Sequence, residues 1–161
     1  MTFYTDDAIQ DVIDNATAGD TIRVYAGTYN EDIYIGKKLT LIGNGTSSSI
    51  INGTGGGDDV IDITADGVYL SGFRVLASED GYGIYLSGSN STINDCEVGG
   101  PENGDANGDA GIYVSGNGNT ISNNTIENNK EYGMRIVGSG NTIINNDLPL
   151  NQNSMQIHVS G

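Results

Sequence analysis

The chain has 161 residues, with 21 acidic against 6 basic side chains and a formal charge of −15. That balance excludes nucleic acid and anionic membranes as partners, because both need a basic surface. Twenty-five glycines and 19 asparagines stand against 2 prolines and no tryptophan, which suits a repeat with many tight turns at positive φ. A single cysteine, Cys96, excludes an internal disulfide and a thiolate metal cluster. No signal-peptide, lipidation or transmembrane pattern is visible, so membrane insertion is not expected.

In chain order, the first predicted element is a helix over residues 5–18. Thr5 is its expected N-cap, Asp6 and Asp7 suit its first turn, and Gly19 suits its end. Ala8, Ile9, Val12, Ile13 and Ala16 share one apolar face. Residues 1–20 thus form a cap over the raw edge of the first coil.

From residue 21 onward three strand columns repeat. The first begins at Ile33, Ile61, Ile84, Ile112, Met134 and Ile157, with steps of 28, 23, 28, 22 and 23 residues. The second centres on Leu41, Leu70, Ile93, Ile121 and Ile143, and the third on Val24, Ile51, Val75, Val98, Ile126 and Leu148. The longer steps absorb insertions at 52–59 and 99–110. Side chains alternate within each strand, so Ile112 and Val114 point inward and Tyr113 outward. One coil cannot bury its own inner face; neighbours stacked about 4.8 Å above and below supply the burial. The expected architecture is all-β: one domain, 1–161, a parallel β-helix solenoid of about five coils behind the N-terminal capping helix. The C-terminal end is expected to be open, because Val159-Ser160-Gly161 carries no capping pattern.

Asn94, Asn123–Asn124 and Asn145–Asn146 recur just after the second column and suit amide ladders from coil to coil. Cys96 falls in register with Phe73, Asn124 and Asn146, as expected for a buried structural thiol.

The runs STINDCEV, NTISNNTIENN and NTIINNDL, with GIYLSG and GIYVSG, resemble the repeats of the pectin-lyase-like superfamily. The opening AIQDVIDNATAGDTIRVYAGTYNEDIYIGKKLTLIGNG is similar to the first coil of NosD-like β-helix proteins. This resemblance implies a right-handed helix and an extracellular or cell-surface setting. Its enzyme signatures are incomplete: Asp58-Asp59 precedes Asn103-Gly104-Asp105, the reverse of the polygalacturonase order, and neither His-Gly nor Arg-x-Lys occurs. The epimerase Asp-Pro-His is also missing, so the reading leans away from an enzyme.

The candidate site is the outward row of the first column: Tyr34, Asp62, Tyr85, Tyr113, Arg135 and His158. A low shelf of Thr64, Ser87, Ser115, Val137 and Ser160 runs beside it. Tyr85 and Tyr113 make an amphipathic aromatic platform suited to a sugar ring, or else stack on each other for stability. Arg135 and His158 are the candidate catalytic pair: a cation to neutralise a uronate and a base titrating near neutrality. Asp58, Asp59, Glu79, Asp80, Asp105, Asp109, Glu127 and Glu131 gather at the turn before the column. There, Asp105, Asn107 and Asp109 have the alternating oxygen spacing of half a calcium loop. No cofactor is required; calcium is the candidate ion.

Three functions fit these features. The leading one is a non-catalytic surface module that binds a polysaccharide or surface glycan. The others are a calcium-assisted polysaccharide lyase or epimerase, and a structural segment that dimerises through its open C-terminal end.

Overall fold

The computed structural model describes residues 1–54, 59–76, 80–100, 107–149, 151 and 157–160. Three parallel sheets wind around one apolar core. The first column becomes a six-stranded sheet, from β4 (Ile33–Ile35) through β7 (Ile61–Ile63), β10 (Ile84–Leu86), β13 (Ala110–Val114) and β16 (Tyr132–Ile136) to β18 (Ile157–Val159). The second becomes a seven-stranded sheet of β1 (Thr2–Thr5), β2 (Thr21–Val24), β5 (Thr40–Ile42), β8 (Tyr69–Ser71), β11 (Thr92–Asn94), β14 (Thr120–Ser122) and β17 (Thr142–Ile144). The third contains β3 (Gly27–Asn30), β6 (Ser49–Asn52), β9 (Arg74–Leu76), β12 (Glu97–Val98) and β15 (Thr125–Ile126).

Register follows the predicted columns. Ile33, Ile61, Ile84, Ile112, Met134 and Ile157 are successive partners, as are Leu41, Leu70, Ile93, Ile121 and Ile143. All of these except Ile143 and Ile157 are buried at 2% exposure or less. Burial fades only at the last coil, where Ile157 and Val159 are exposed.

Two expectations are corrected at the N-terminal end. Val24 lies in the second sheet, not the third: β2 pairs with β5 as Ile22 against Leu41, and the third column opens at Tyr29, the partner of Ile51. Ile22 and Val24 are both buried, two residues apart on one strand, so the apolar pattern fits either one as the column's centre. Residues 1–20 are also more than a helix. Thr2–Thr5 is a strand paired in parallel with β2, and the helix α1 is shorter, Ile9–Asn15. Thr5 ends that strand, and its hydroxyl accepts the N–H of Asp7 rather than capping the helix. The N–H groups of Ile9 and Gln10 are taken instead by the Glu31 carboxylate, at 2.8 and 3.0 Å, a cap from 22 residues away.

The helix still guards an edge. The Gln10 amide accepts the Tyr34 N–H at 2.8 Å and donates to the Tyr34 carbonyl at 3.3 Å. It thereby imitates the peptide group of a missing strand beside β4. Ile9, Ile13 and Ala16 close the core, whereas Ala8 is exposed.

Asparagine ladders stand at all three corners of the coil. After the second sheet, Asn124 Nδ2 donates to Asn146 Oδ1 (2.9 Å) and the Ile93 carbonyl (3.1 Å), while Asn124 Oδ1 accepts the Cys96 N–H (2.9 Å). Before it, the Asn119 and Asn141 side chains receive the N–H groups of Ser91 and Asn119. The third corner joins Asn107, Asn129 and Asn151. The residue preceding several ladder members has positive φ: Asp95 (50°), Asn123 (56°), Asn128 (56°) and Asn145 (54°), where a short polar side chain tolerates the left-handed region. The paired asparagines therefore divide the work. One turns the chain and the next satisfies the backbone inside.

Gly116 shows how closely the coils approach. A Cβ there would overlap the carbonyl of Gly88 in the coil before, and one on Gly138 would overlap the Gly116 carbonyl. Cys96 shares the ladder position, is fully buried, and has its thiol pushed up to about 12 by that burial.

Replacing Asn124 with Ala removes the acceptor of the buried Cys96 N–H and a donor to the Ile93 carbonyl inside the stack. Chemical denaturation should show a loss of about 2–4 kcal/mol. The control Asn123→Gly, at a left-handed surface position, should stay within about 0.5 kcal/mol of the parent.

Candidate functional site

The outward row forms as a continuous file. Tyr34, Asp62, Tyr85, Tyr113, Arg135 and His158 are register partners from β4 to β18. Tyr34 is the most exposed aromatic of the file at 53%, and its hydroxyl meets Thr64 Oγ1 at 3.0 Å.

The middle of the file is an aromatic stack. Tyr85 and Tyr113 lie 5.4 Å apart between centroids and 6° from parallel, an offset arrangement that favours the ring quadrupoles. Tyr82, which the column pattern does not single out, joins them at 4.6 Å from Tyr113 and 6.0 Å from Tyr85. Strict alternation puts Tyr82 inside with Ile84. Gly83 breaks the alternation: its Cβ position faces Val98 Cγ1 at 2.6 Å and Asn107 Nδ2 at 2.7 Å, so the backbone presses inward and Tyr82 swings out. The sequence signal for it is the repeated Tyr-Gly before a column start, seen again at Tyr132-Gly133. There Tyr132 stacks on His158 at 5.5 Å and 30°.

Because the rings cover one another, part of each face is spent on stacking. Tyr82, Tyr85 and Tyr113 are each half-buried. Within the stack, burial and then the Asp109 carboxylate raise the pKa of the Tyr82 phenol, against an opposing pull from Arg135.

Arg135 caps the stack, its guanidinium carbon 5.4 Å from the Tyr113 centroid, a cation–π contact worth about 0.5–1 kcal/mol. Three atoms of the file are shielded from solvent with no hydrogen-bond partner: Asp62 Oδ1, Arg135 Nε and His158 Nδ1. The Asp62 carboxyl is raised above its ordinary range by burial and by neighbouring Asp59. The row is therefore polar along its length, with an acid near one end, tyrosines in the middle and a guanidinium and an imidazole at the other.

The proposed calcium residues are placed only in part. Asp105 lies outside the described residues, as do Asp58 and Glu79 of the acidic edge. Asn107 is fully buried, and its amide donates to Asn129 at 2.8 Å as a member of a corner ladder. Asp109 stands in the turn at the start of β13. No group of three His, Cys, Asp or Glu side chains among the described residues is arranged to hold a metal.

Residues 49–160, which carry most of this file, match the protein family described as right handed beta helix region. The chain belongs to this family. A cell surface glycoprotein of Methanothermus fervidus is 36% identical over 102 residues, covering 58% of this chain and 16% of that protein. Among solved structures, ORF18 of Geobacillus virus E2 superposes with a TM-score of 0.76 at 19% identity, over 96% of this chain and 38% of that one. The pectin methylesterase PemA of Erwinia chrysanthemi gives 0.67 at 18% identity, over 91% and 54%. This β-helix has the pectin-lyase-like fold, and it spans only a fraction of each relative's length. No helix among the described residues is long and apolar enough to cross a membrane.

Asp62 makes a prediction with a definite sign. Its pKa is raised in the folded state, so the fold binds the proton more tightly than the unfolded chain. Below the unfolded value near 3.8 both states hold the proton, and Asp62 makes stability no pH-dependent contribution. As pH rises through the folded value, an ionisation penalty develops and remains in full at neutral pH. Asp62→Asn should therefore raise the melting temperature at pH 7 and leave it unchanged near pH 3, as followed by circular dichroism.

Proposed function

We propose that this β-helix is a glycan-binding module of a surface or secreted protein, with the file from Tyr34 to His158 as its binding face. The supporting observation is the Tyr82–Tyr85–Tyr113 stack with Arg135 against it, held on a sheet whose every rung is paired. Hydroxyls, a carboxyl and a guanidinium recur there at the rung spacing of about 4.8 Å. That spacing is close to the repeat of a sugar chain running along the helix axis. A rigid sheet spends little entropy in presenting them. The surface setting draws on the Methanothermus fervidus glycoprotein, and a polysaccharide partner is in keeping with the pectin methylesterase. The formal charge of −15 leaves nucleic acid and anionic lipid unsuited as partners.

A second reading rests on Arg135 and His158 being rung neighbours. In a calcium-assisted lyase, Arg135 would neutralise a uronate carboxylate while the His158 imidazole removed the adjacent proton. The acidic edge would supply the calcium site through Asp105 and Asp109, Asn107 being taken up by its corner ladder.

Binding measured by glycan array and calorimetry across neutral and acidic oligosaccharides separates these readings. For the binding module, the double change Tyr85→Phe and Tyr113→Phe keeps the stack but removes two hydroxyls. It should weaken affinity about tenfold or more, with the melting temperature held within about 2 °C. A protein that binds none of the glycans contradicts the module. For the lyase, pectate or alginate incubated with calcium should yield unsaturated products absorbing in the ultraviolet, lost on His158→Ala. No absorbance rise across a pH series removes that reading.

A further inference from the structure

The N-terminal end of the stack offers three strand positions beneath the first full coil, and they are filled unequally. Under the seven-stranded sheet lies β1, paired with β2 along its whole length. Under the six-stranded sheet lies α1, whose Gln10 amide bonds the backbone of Tyr34. Under the third sheet the chain crosses from β1 to α1 in only three residues, Asp6, Asp7 and Ala8. That link makes no strand pairing, and β3 is the last strand of its sheet.

The free edge of β3 has a defined set of groups. Gly27 N–H bonds the Ser48 carbonyl on the β6 side. In a parallel pair the residues alternate, so Gly27 and Tyr29 face β6 while the peptide groups of Thr28 and Asn30 face away. Thr28 and Asn30 are exposed. A cavity of about 370 Å³ lies along this edge, lined by Thr28, Tyr29, Asn30, Asp6, Asp7 and Glu31. Its volume suits roughly three residues of extended chain. Glu31 is engaged with the helix N-terminus, which leaves the exposed carboxylates of Asp6 and Asp7 at the mouth. These acids, with Glu31, also raise the Tyr29 phenol beyond what burial does alone.

We infer that this groove docks a short extended peptide carrying lysine or arginine, which adds a strand to the free edge of β3 and sets its cations against Asp6 and Asp7. Main-chain bonds to Thr28 and Asn30 supply the affinity, and the carboxylates supply the preference. The partner is a basic segment because the exposed carboxylates of Asp6 and Asp7, lining the groove beside the edge, complement its cations. The groove is separate from the tyrosine file, so it stands or falls apart from glycan binding.

The probe is a blocked Lys-Val-Lys-Val-Lys peptide, labelled for fluorescence anisotropy and titrated against the intact chain. It should bind more weakly as salt rises. The same peptide N-methylated at alternate residues should lose about tenfold or more, as should a Glu-Val-Glu-Val-Glu peptide. Thr28→Pro removes the outward N–H without touching the β6 bonds, and proline is tolerated on such an edge. It should abolish binding with an unchanged circular dichroism spectrum. Asp6→Asn with Asp7→Asn should weaken binding and flatten its salt dependence. Equal binding of the N-methylated and parent peptides overturns strand addition, whether or not Thr28→Pro folds. Unimpaired binding of the acidic peptide overturns the charge preference. Self-association of the chain that Thr28→Pro abolishes overturns the basic-peptide partner in favour of a second copy.

Discussion

Parallel pairing between consecutive coils is the constraint on which everything else depends. An inward Ile on one strand is buried only because an Ile, Leu or Met occupies the same position one rung above and below. Ile61, Ile84 and Ile112 illustrate it, each fully buried between its register partners. A slip of one residue would turn the whole face inside out. The pairing also sets how near the corners approach, and that in turn demands glycine at Gly116 and amides at Asn119, Asn124 and Asn129. The asparagine load that looks like compositional bias is thus a consequence of close stacking. Backbone groups turning a buried corner need partners, and a primary amide offers both a donor and an acceptor to successive coils.

The same constraint makes the outer file. Once the inner register is fixed, the residue between two inward positions must stand outside, level with its counterparts. Six residues separated by more than twenty positions in sequence are thereby lined up at one spacing. Strand pairing positions them, but their contacts with each other decide their chemistry. Tyr113 lies between Tyr85 and Arg135, so its faces are partly used and its hydroxyl becomes the more available recognition element. The two explanations of those tyrosines, stability and recognition, describe different parts of the same rings.

The columns and the outer file were legible because they depend on local alternation multiplied by repetition. Each coil restates an apolar-x-apolar triplet, and six restatements outweigh any single ambiguity. What was hidden depends on one-off, long-range contacts. Glu31 caps a helix 22 residues earlier in the chain, and nothing near Ile9 announces it. Thr5 carries a good capping signal but sits opposite Val24 at the end of a strand, where its hydroxyl is used by Asp7. Tyr82 escaped because its outward direction is set by Gly83 pressing against the next corner rather than by alternation. Asn107 had the spacing of a metal ligand, yet the ladder rule that explained Asn124 places it inside. A repeat rule that holds at one corner of a coil holds at the other two.

The ends of the stack obey a different logic from its middle. In the middle every strand has two neighbours, so a functional face there is pre-organised and needs no closure. The tyrosine stack occupies this part. At the N-terminal end, three sheets present three edges, and a single short segment must answer all of them. A strand answers the first by pairing and Gln10 answers the second by imitating a peptide group. A three-residue link is too short to answer the third once the hydroxyl of Thr5 has bent it toward Asp7. The acids at Asp6 and Asp7 then serve two physical ends. They lie on the approach to α1, where its dipole favours negative charge. They also surround a bare strand edge with like charge, which repels the acidic surface of another such chain and admits only a cationic one. Selectivity at that edge is of a piece with the net charge of −15: the same excess of carboxylates determines what can approach.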